Sequence, residues 1–138
     1  MSTLQNVCAC ALGFVCLLAG NSAYSDEVWN STYGQVVFED ESGPTATWSY
    51  THNGRPGLIY ILGLAGIYSE RDRYDGYWVQ DASDVRCNTP RLGLNKQKSY
   101  FWGNFQVKFI DSGYPARWEG LWGYCNDKPT RSWNGTPQ

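Results

Sequence analysis

The side chains best suited to acid–base chemistry are few in this chain, and each lies where a turn is expected. His52 is the only histidine, and the run His52-Asn53-Gly54 is typical of a hairpin loop. A lone solvated histidine provides no Ser-His-Asp arrangement. Two carboxylate pairs have a spacing that glycoside hydrolysis could use, and these are Asp72 with Asp75 and Asp81 with Asp84. Both pairs lie beside arginines in expected turns, where charge is usually solvated, so we predict no catalytic residue and no enzyme.

Cysteine chemistry is the second possibility. Cys8, Cys10 and Cys16 lie in the apolar N-terminal segment, whereas Cys87 and Cys125 follow much later. If the N-terminal segment is an export signal that is removed, the first three cysteines leave with it and two remain. An even number of cysteines in an exported chain predicts one disulfide, here between Cys87 and Cys125. Zinc is a poor alternative, because the chain has one histidine and no Cys-x-x-Cys motif. We therefore predict neither a metal nor a cofactor.

The N-terminal segment has the pattern of an export signal. Every residue from Val7 to Ala19 is apolar or glycine, and no charged side chain precedes Asp26. This run fits the core of a signal peptide and is shorter than the roughly 20 residues needed to span a bilayer. The small residues Ala23 and Ser25 provide a cleavage site. We predict a signal peptide at residues 1–25, one domain at residues 26–138, a secreted or periplasmic location and no membrane association after cleavage.

Composition narrows the partners. The net charge is −2 with both signs scattered along the chain, so we predict no nucleic-acid partner. Aromatic residues make up 16% of the chain, and their rings must fill a core, line a pocket or form an interface. Small-molecule or protein partners are therefore expected.

The elements that position these rings are predicted to be strands, because alternation with a period of two recurs after the signal. Residues 29–39 predict a first strand with Trp29, Ser31, Tyr33, Gln35 and Val37 on one face. Residues 45–51 predict a second strand, which places Trp48 and Tyr50 together.

Later in the chain, residues 99–110 and the segment after Gly113 predict an aromatic hairpin. Residues 81–98 lack alternation and predict the longest loop, which Cys87 would tether. Tryptophan and glycine recur side by side, as in Trp102-Gly103 and Trp122-Gly123, and glycines covered by rings are typical of strongly curved sheets. The predicted fold is all-β, a small antiparallel up-and-down β-barrel of about eight strands, with a β-sandwich as the alternative.

Three features resemble the avidin-type and lipocalin-like secreted barrels. Trp29 is followed five residues later by Gly34, a late hairpin contains Phe105 to Phe109 and then Trp118 and Gly120, and the last strand contains Trp133. The resemblance implies a ligand pocket in the barrel mouth. Its residues would be Ser31, Gln35, Trp48, Tyr50, Phe109, Trp118 and Trp133.

The biotin-binding pattern itself is not matched. Ser31 stands where an asparagine is expected, Gln35 stands where a small hydroxyl is expected, and no acidic residue follows Trp133. A buried polar group without its partner costs about 1–3 kcal/mol, so we expect a ligand other than biotin.

The resulting functional prediction is a secreted non-catalytic binding protein. It would hold a small apolar or amphipathic ligand in the barrel mouth, with Ser31, Gln35 and Tyr50 setting the orientation. The alternatives are a protein-interaction module, such as an inhibitor of an extracellular enzyme that uses residues 81–98, and a carbohydrate-binding module. For both alternatives, Trp78, Trp102 and Trp122 are the candidate rim rings, which could stack on sugar faces or anchor a protein partner.

Overall fold

The computed structural model describes residues 27–138, in which ten β-strands and one short 3-10 turn, Leu94–Lys96, follow each other along the chain. The strands are β1 Val28–Ser31, β2 Gly34–Ser42, β3 Thr45–His52, β4 Arg55–Leu62, β5 Arg73–Gln80, β6 Arg91–Leu92, β7 Lys98–Ser99, β8 Phe101–Phe109, β9 Trp118–Trp122 and β10 Arg131–Pro137.

Eight of these strands close into an antiparallel barrel. Their order around the barrel is β1-β10-β9-β8-β5-β4-β3-β2, and β1 completes the ring by pairing with both β2 and β10. Each barrel strand thus pairs with the next barrel strand along the chain, which is the up-and-down arrangement. Strands β6 and β7 form a separate hairpin. The all-β prediction and the predicted barrel of about eight strands are confirmed.

The first predicted strand is wrong in one respect. Residues 29–39 do not form one strand, because the chain reverses at Thr32 and Tyr33 between β1 and β2. Ser31 pairs with Gly34 across this turn, and the positive φ of Gly34, 98°, is a backbone conformation that favours glycine. The reversal changes which later residues point inward, so Trp29 and Val36 are buried while Gln35 is exposed.

Large aromatic rings fill the interior of the barrel. Trp29, Trp48 and Trp118 are at most 1% exposed, and the ring centroids of Trp48 lie 4.6 Å from Trp29 and 5.2 Å from Trp118. Glycine makes room for such rings. A Cβ at Gly135 would lie 2.4 Å from the Trp118 ring, so no larger residue fits there without displacing the ring. The ring against Gly135 comes from the neighbouring strand β9 and not from a residue adjacent in sequence.

The predicted disulfide joins Cys87 to Cys125, with a sequence separation of 38. It ties down residues 81–100, which we call the strap because they cross the outside of the barrel between β5 and β8. Beneath the strap, Cys87, Val79 and Trp102 form a small second core. The strap contains the β6–β7 hairpin, which the sequence pattern did not predict.

The predicted signal peptide, residues 1–25, lies outside the described residues. In the part of the chain that the structure describes, no helix has the length and apolar character needed to cross a bilayer.

Candidate functional site

The two ends of the barrel differ, and the closed end is defined by an ion pair. Arg71 Nη1 lies 2.9 Å from Glu27 Oε1 and 3.0 Å from Oε2, with both side chains fully buried. Arg71 Nε donates to the Ile67 carbonyl at 2.7 Å, and the guanidinium lies 4.8 Å from the Phe109 ring centroid. These contacts close this end of the barrel, and we call the buried pair of Glu27 and Arg71 the plug.

The position of Arg71 corrects a prediction. Arg71 is one of the arginines beside Asp72 that the sequence analysis expected in a turn with solvated charge, but it is only 5% exposed and turns inward to meet Glu27. Burial raises the pKa of the Glu27 carboxyl, and the nearby Arg71 charge and hydrogen bonds offset part of that rise. The closed end therefore needs both partners, because a single buried charge would be uncompensated.

The open end contains a cavity of about 130 Å³, which we call the cup. It lies where the β1–β2 and β3–β4 turns, the start of the strap and the β9–β10 loop converge. Its lining residues are Tyr33, Tyr50, His52, Asn53, Arg55, Trp78, Gln80, Ala82, Ser83, Asp84, Trp122, Tyr124 and Trp133. The cup is thus walled by six aromatic rings and edged by polar and charged loop residues.

Three of the rings meet almost at right angles. Trp78 lies 5.8 Å from Trp122 at 88° and 5.9 Å from Tyr124 at 80°, and Trp122 lies 5.2 Å from Tyr124 at 78°. Trp78 is fixed by a hydrogen bond from its Nε1 to the Gly123 carbonyl at 2.9 Å. Edge-to-face packing of this kind holds rings in defined positions, so the wall is preformed.

The floor of the cup is also aromatic. Trp133 lies 4.8 Å from Tyr50 at 82° and 5.2 Å from Tyr33 at 86°. Its Nε1 donates to Ser31 Oγ at 2.9 Å, so Ser31 supports the floor from below. Phe105 contacts Trp133 at 5.6 Å and connects the floor to the packed core.

One side of the cup is shaped by a glycine between two polar residues. Tyr50 pairs with Gly57, and Gly57 pairs with Gln80 on the next strand, so the three residues lie in a row across β3, β4 and β5. A Cβ at Gly57 would lie 2.3 Å from Tyr50 Cζ and 2.6 Å from its Oη. The Tyr50 phenol therefore lies across Gly57, on the side where Gln80 is found.

Gln80 is 6% exposed, and its buried Nε2 has no hydrogen-bond partner among the described residues. Three other buried nitrogens share this property, and they are Trp48 Nε1, Trp118 Nε1 and Arg71 Nη2. Those three belong to residues that pack against aromatic rings in the core or the plug, whereas Gln80 lines the cup. Burial raises the pKa of the Tyr50 hydroxyl, so this group stays a neutral donor.

The predicted site residues divide into three groups. Tyr50 and Trp133 line the cup, with Ser31 directly beneath Trp133. Trp48, Phe109 and Trp118 lie deeper, at most 5% exposed in the main core, where they support the barrel and do not line the cup. These assignments of ligand contact stay predictions.

Gln35 is the clearest departure. The prediction that it shares a face with Ser31 is wrong, because the turn at Thr32 and Tyr33 starts a new strand. Gln35 lies on the outer wall, where its Nε2 donates to Gln138 Oε1 at 2.9 Å. It cannot reach the cup from the outer surface of β2.

Of the three candidate rim rings, two line the cup and one does not. Trp78 and Trp122 line the cup, whereas the strap covers Trp102, which is 2% exposed and donates from Nε1 to the Thr89 carbonyl at 2.7 Å. Sequence reasoning missed Gln80, Tyr124 and Arg55 as lining residues. For Gln80 a signal existed, since it follows Trp78 by two residues and so shares its face in a strand.

The two acidic pairs that were considered for glycoside hydrolysis lie toward opposite ends of the barrel, one before or at the start of β5 and the other after its end. Asp84 lines the cup near His52, but Asp72 and Asp75 lie near the start of β5, toward the closed end. Across residues 27–138, no group of three His, Cys, Asp or Glu side chains could hold a metal ion. The arrangement is suited to noncovalent contact with a small, mainly apolar group.

Searches of family models, of curated proteins and of solved structures found no significant match to this chain. The resemblance to avidin-type and lipocalin-like barrels therefore stays a prediction from the residues that carry it.

Proposed function

We propose that this protein is a secreted, non-catalytic binding protein that holds a small apolar or amphipathic molecule in the mouth of its barrel. The observation that carries the proposal is the cup, in which preformed aromatic walls surround a cavity open to solvent. Ligand sites are concave, mostly apolar and edged by a few polar groups. The cup has each of these properties.

The size of the cup limits what it can hold. Its volume of about 130 Å³ is close to the roughly 150 Å³ of a cavity that accepts benzene, and smaller than the roughly 300–1,000 Å³ of typical ligand pockets. Beneath it, the buried rings of Trp48 and Trp118 pack in the main core. We therefore propose that one ring-sized group enters the cup while the rest of a larger ligand stays outside.

Export is the second part of the proposal. The Cys87–Cys125 disulfide is compatible with an extracellular protein, because such bonds persist in oxidising compartments. The signal-peptide pattern of residues 1–25 supports the same location. Secretion into the medium or periplasm, measured with and without those residues, tests this part.

The binding proposal is tested by titrating the disulfide-bonded protein with indole and following backbone amide shifts by NMR. We expect saturable shifts at residues of the cup and at least tenfold weaker binding by Trp122→Ala. Leu121→Ala is the matched control, because Leu121 neighbours Trp122 on β9 but is an exposed side chain on the other face. Shifts spread over the surface without saturation would contradict the proposal.

A protein-interaction module is the second candidate, and the strap favours it. Val85 and Leu92 are 38% and 47% exposed on a segment that the disulfide holds in place. Exposed apolar side chains on a tethered segment are suitable for contact with a partner. A V85S/L92S double variant should keep the indole affinity of the wild type, so a protein ligand that loses binding only in this variant would favour the second candidate.

A further inference from the structure

We propose that the ligand of the cup is an uncharged ring compound with a carbonyl group, whose oxygen accepts hydrogen bonds from Gln80 Nε2 and Tyr50 Oη. This inference rests on the proposed function and adds the chemical class of the ligand. It starts from a polar side chain that is buried in the wall of a cavity and lacks a partner.

Burying a hydrogen-bond donor without an acceptor is unfavourable, and native structures rarely tolerate it without a reason. Gln80 Nε2 is such a donor, and it belongs to a residue that lines the cup. The terminal torsion of a glutamine side chain is soft, so rotation of the amide would bring Nε2 to the cup, where a ligand acceptor would satisfy it. The site thus contains an unsatisfied hydrogen-bond donor, for which no aromatic residue of the wall provides an acceptor.

A second donor lies beside the first. The strand register places Tyr50, Gly57 and Gln80 in one row, and neighbouring strands are about 4.8 Å apart. Because the Tyr50 phenol lies across Gly57, its hydroxyl approaches the strand that carries Gln80. Both residues are 6% exposed, so both side chains are packed into the wall of the cup. One oxygen with two lone pairs could accept from both.

The donors also select against a charged ligand. Gln80 and Tyr50 are neutral, and the charged lining residues, Arg55 and Asp84, are exposed at the rim and of opposite sign. Burial of a carboxylate without a buried cation is costly. A neutral carbonyl, as in an aryl amide, an aryl ketone or a lactam, is therefore favoured over a carboxylate.

The experiment compares three probes that share one ring, namely benzamide, toluene and benzoate, by NMR titration of the disulfide-bonded protein. We expect Gln80→Leu to weaken benzamide binding about tenfold, in line with the loss of one hydrogen bond, while toluene binds as tightly as before or more tightly. Tyr50→Phe should change the two affinities in the same directions. Gln35→Leu is the matched control, because Gln35 lies on the outer wall, and it should change neither.

The outcomes separate the two proposals. If the variants leave benzamide binding unchanged, or weaken benzamide and toluene equally, the carbonyl inference is overturned and the binding proposal stands. Tighter binding of benzoate than of benzamide would overturn the choice of an uncharged ligand. If no probe binds at the cup, both proposals fail.

A stability measurement guards against a merely structural role for Gln80. Without ligand, Gln80→Leu should melt at the same temperature as the wild type or higher, because the substitution removes an unpaired buried amide. A clearly lower melting temperature would mean that the amide is needed for packing, and it would overturn the inference.

Discussion

At the closed end of the barrel, the Glu27 carboxylate meets the guanidinium of Arg71 at 2.9 Å and the pair is fully buried. At the open end, the Gln80 amide and the Tyr50 hydroxyl are buried almost as completely, but Gln80 Nε2 has no partner among residues 27–138. Both ends contain tryptophan, tyrosine or phenylalanine rings packed edge to face. Arg71 Nη2 at the closed end also lacks a partner, so the ends differ mainly in that the closed end holds a charge pair and the open end holds neutral donors beside a cavity.

This difference shows that one small barrel can combine a closed end built for stability with an open end that has room for a ligand. At the closed end, the negative charge of Glu27 is paired with the positive charge of Arg71, and the aromatic rings around the pair favour rigidity. At the open end, the rings leave a cavity of about 130 Å³ with donors on its wall. We expect substitutions at the closed end to act mainly on folding, and those at the open end mainly on binding.

The largest loss of stability is expected from a substitution in the tryptophan core, next to the plug. Trp29→Ala should lower the free energy of unfolding by about 3–5 kcal/mol, because it empties a fully buried site and removes the 2.8 Å hydrogen bond from Trp29 Nε1 to the Ala116 carbonyl. Trp122→Ala, at the mouth, should cost about 1 kcal/mol. Urea unfolding of both variants measures the contrast, and equal losses would break the comparison between the ends.

The ion pair of the plug comes next. Arg71→Met keeps most of the side-chain volume but leaves Glu27 buried without its counter-charge, which should cost about 3–5 kcal/mol. A double variant, E27Q/R71M, should regain part of this loss because neither charge remains. If Arg71→Met were as stable as the wild type, the plug would not depend on paired charge.

The disulfide gives the open end its own stabilisation. Replacing both Cys87 and Cys125 with serine should cost about 3–4 kcal/mol, as expected for closing a loop of this length in the unfolded chain. We expect the amides of the strap to exchange with solvent faster, whereas those of β1 and β10 near the plug keep their protection relative to the global unfolding limit. Hydrogen exchange measures both, and uniform loss across the barrel would contradict this division.

The smallest expected effect is on how stability depends on pH. Two carboxyl groups at the closed end, those of Asp111 and Glu27, should contribute to this dependence with opposite signs. The pKa of Asp111 is lowered to about 2 by hydrogen bonds from Arg117. Its stabilising contribution is therefore present above the ordinary pKa of 3.8 and is lost as the pH falls through about 2. The pKa of Glu27 is raised by burial, so its contribution is full below pH 4.5 and is lost as the pH rises through the raised pKa.

Urea unfolding of Asp111→Asn and Glu27→Gln between pH 2 and pH 7 tests these signs. The stability of the wild type relative to Asp111→Asn should fall as the solution is acidified below pH 4. Its stability relative to Glu27→Gln should fall as the pH rises above 4.5. Slopes of the same sign for both variants would mean that the two carboxyls do not differ as described.

Much of the framework was predictable from local pattern. The alternation through Trp48 and Tyr50 predicted a strand face that is buried in the structure. The run at His52-Asn53-Gly54 predicted a hairpin loop, and the structure has a two-residue turn there between β3 and β4. The Cys87–Cys125 pairing followed from counting. Each of these rests on interactions between residues near in sequence or on simple arithmetic.

The candidate site was predicted only in part. Tyr50, Trp133, Trp78 and Trp122 were named and line the cup, but Gln35 was placed on the wrong face because a two-residue turn without a strong signal reversed the chain. Phe109 and Trp118 belong to the core because the depth of a ring within a barrel depends on strand register. The strap covers Trp102 because of a tether that acts across the fold.

By itself, the sequence determined the strand-forming alternation and the two cysteines that pair, because these depend on local sterics and on composition. Only the tertiary structure decided that Arg71 turns inward to Glu27, and that Tyr50, Gly57 and Gln80 lie in one row beside an open cavity. Those arrangements join residues from separate strands and loops, and closure of the barrel sets the register that brings them together.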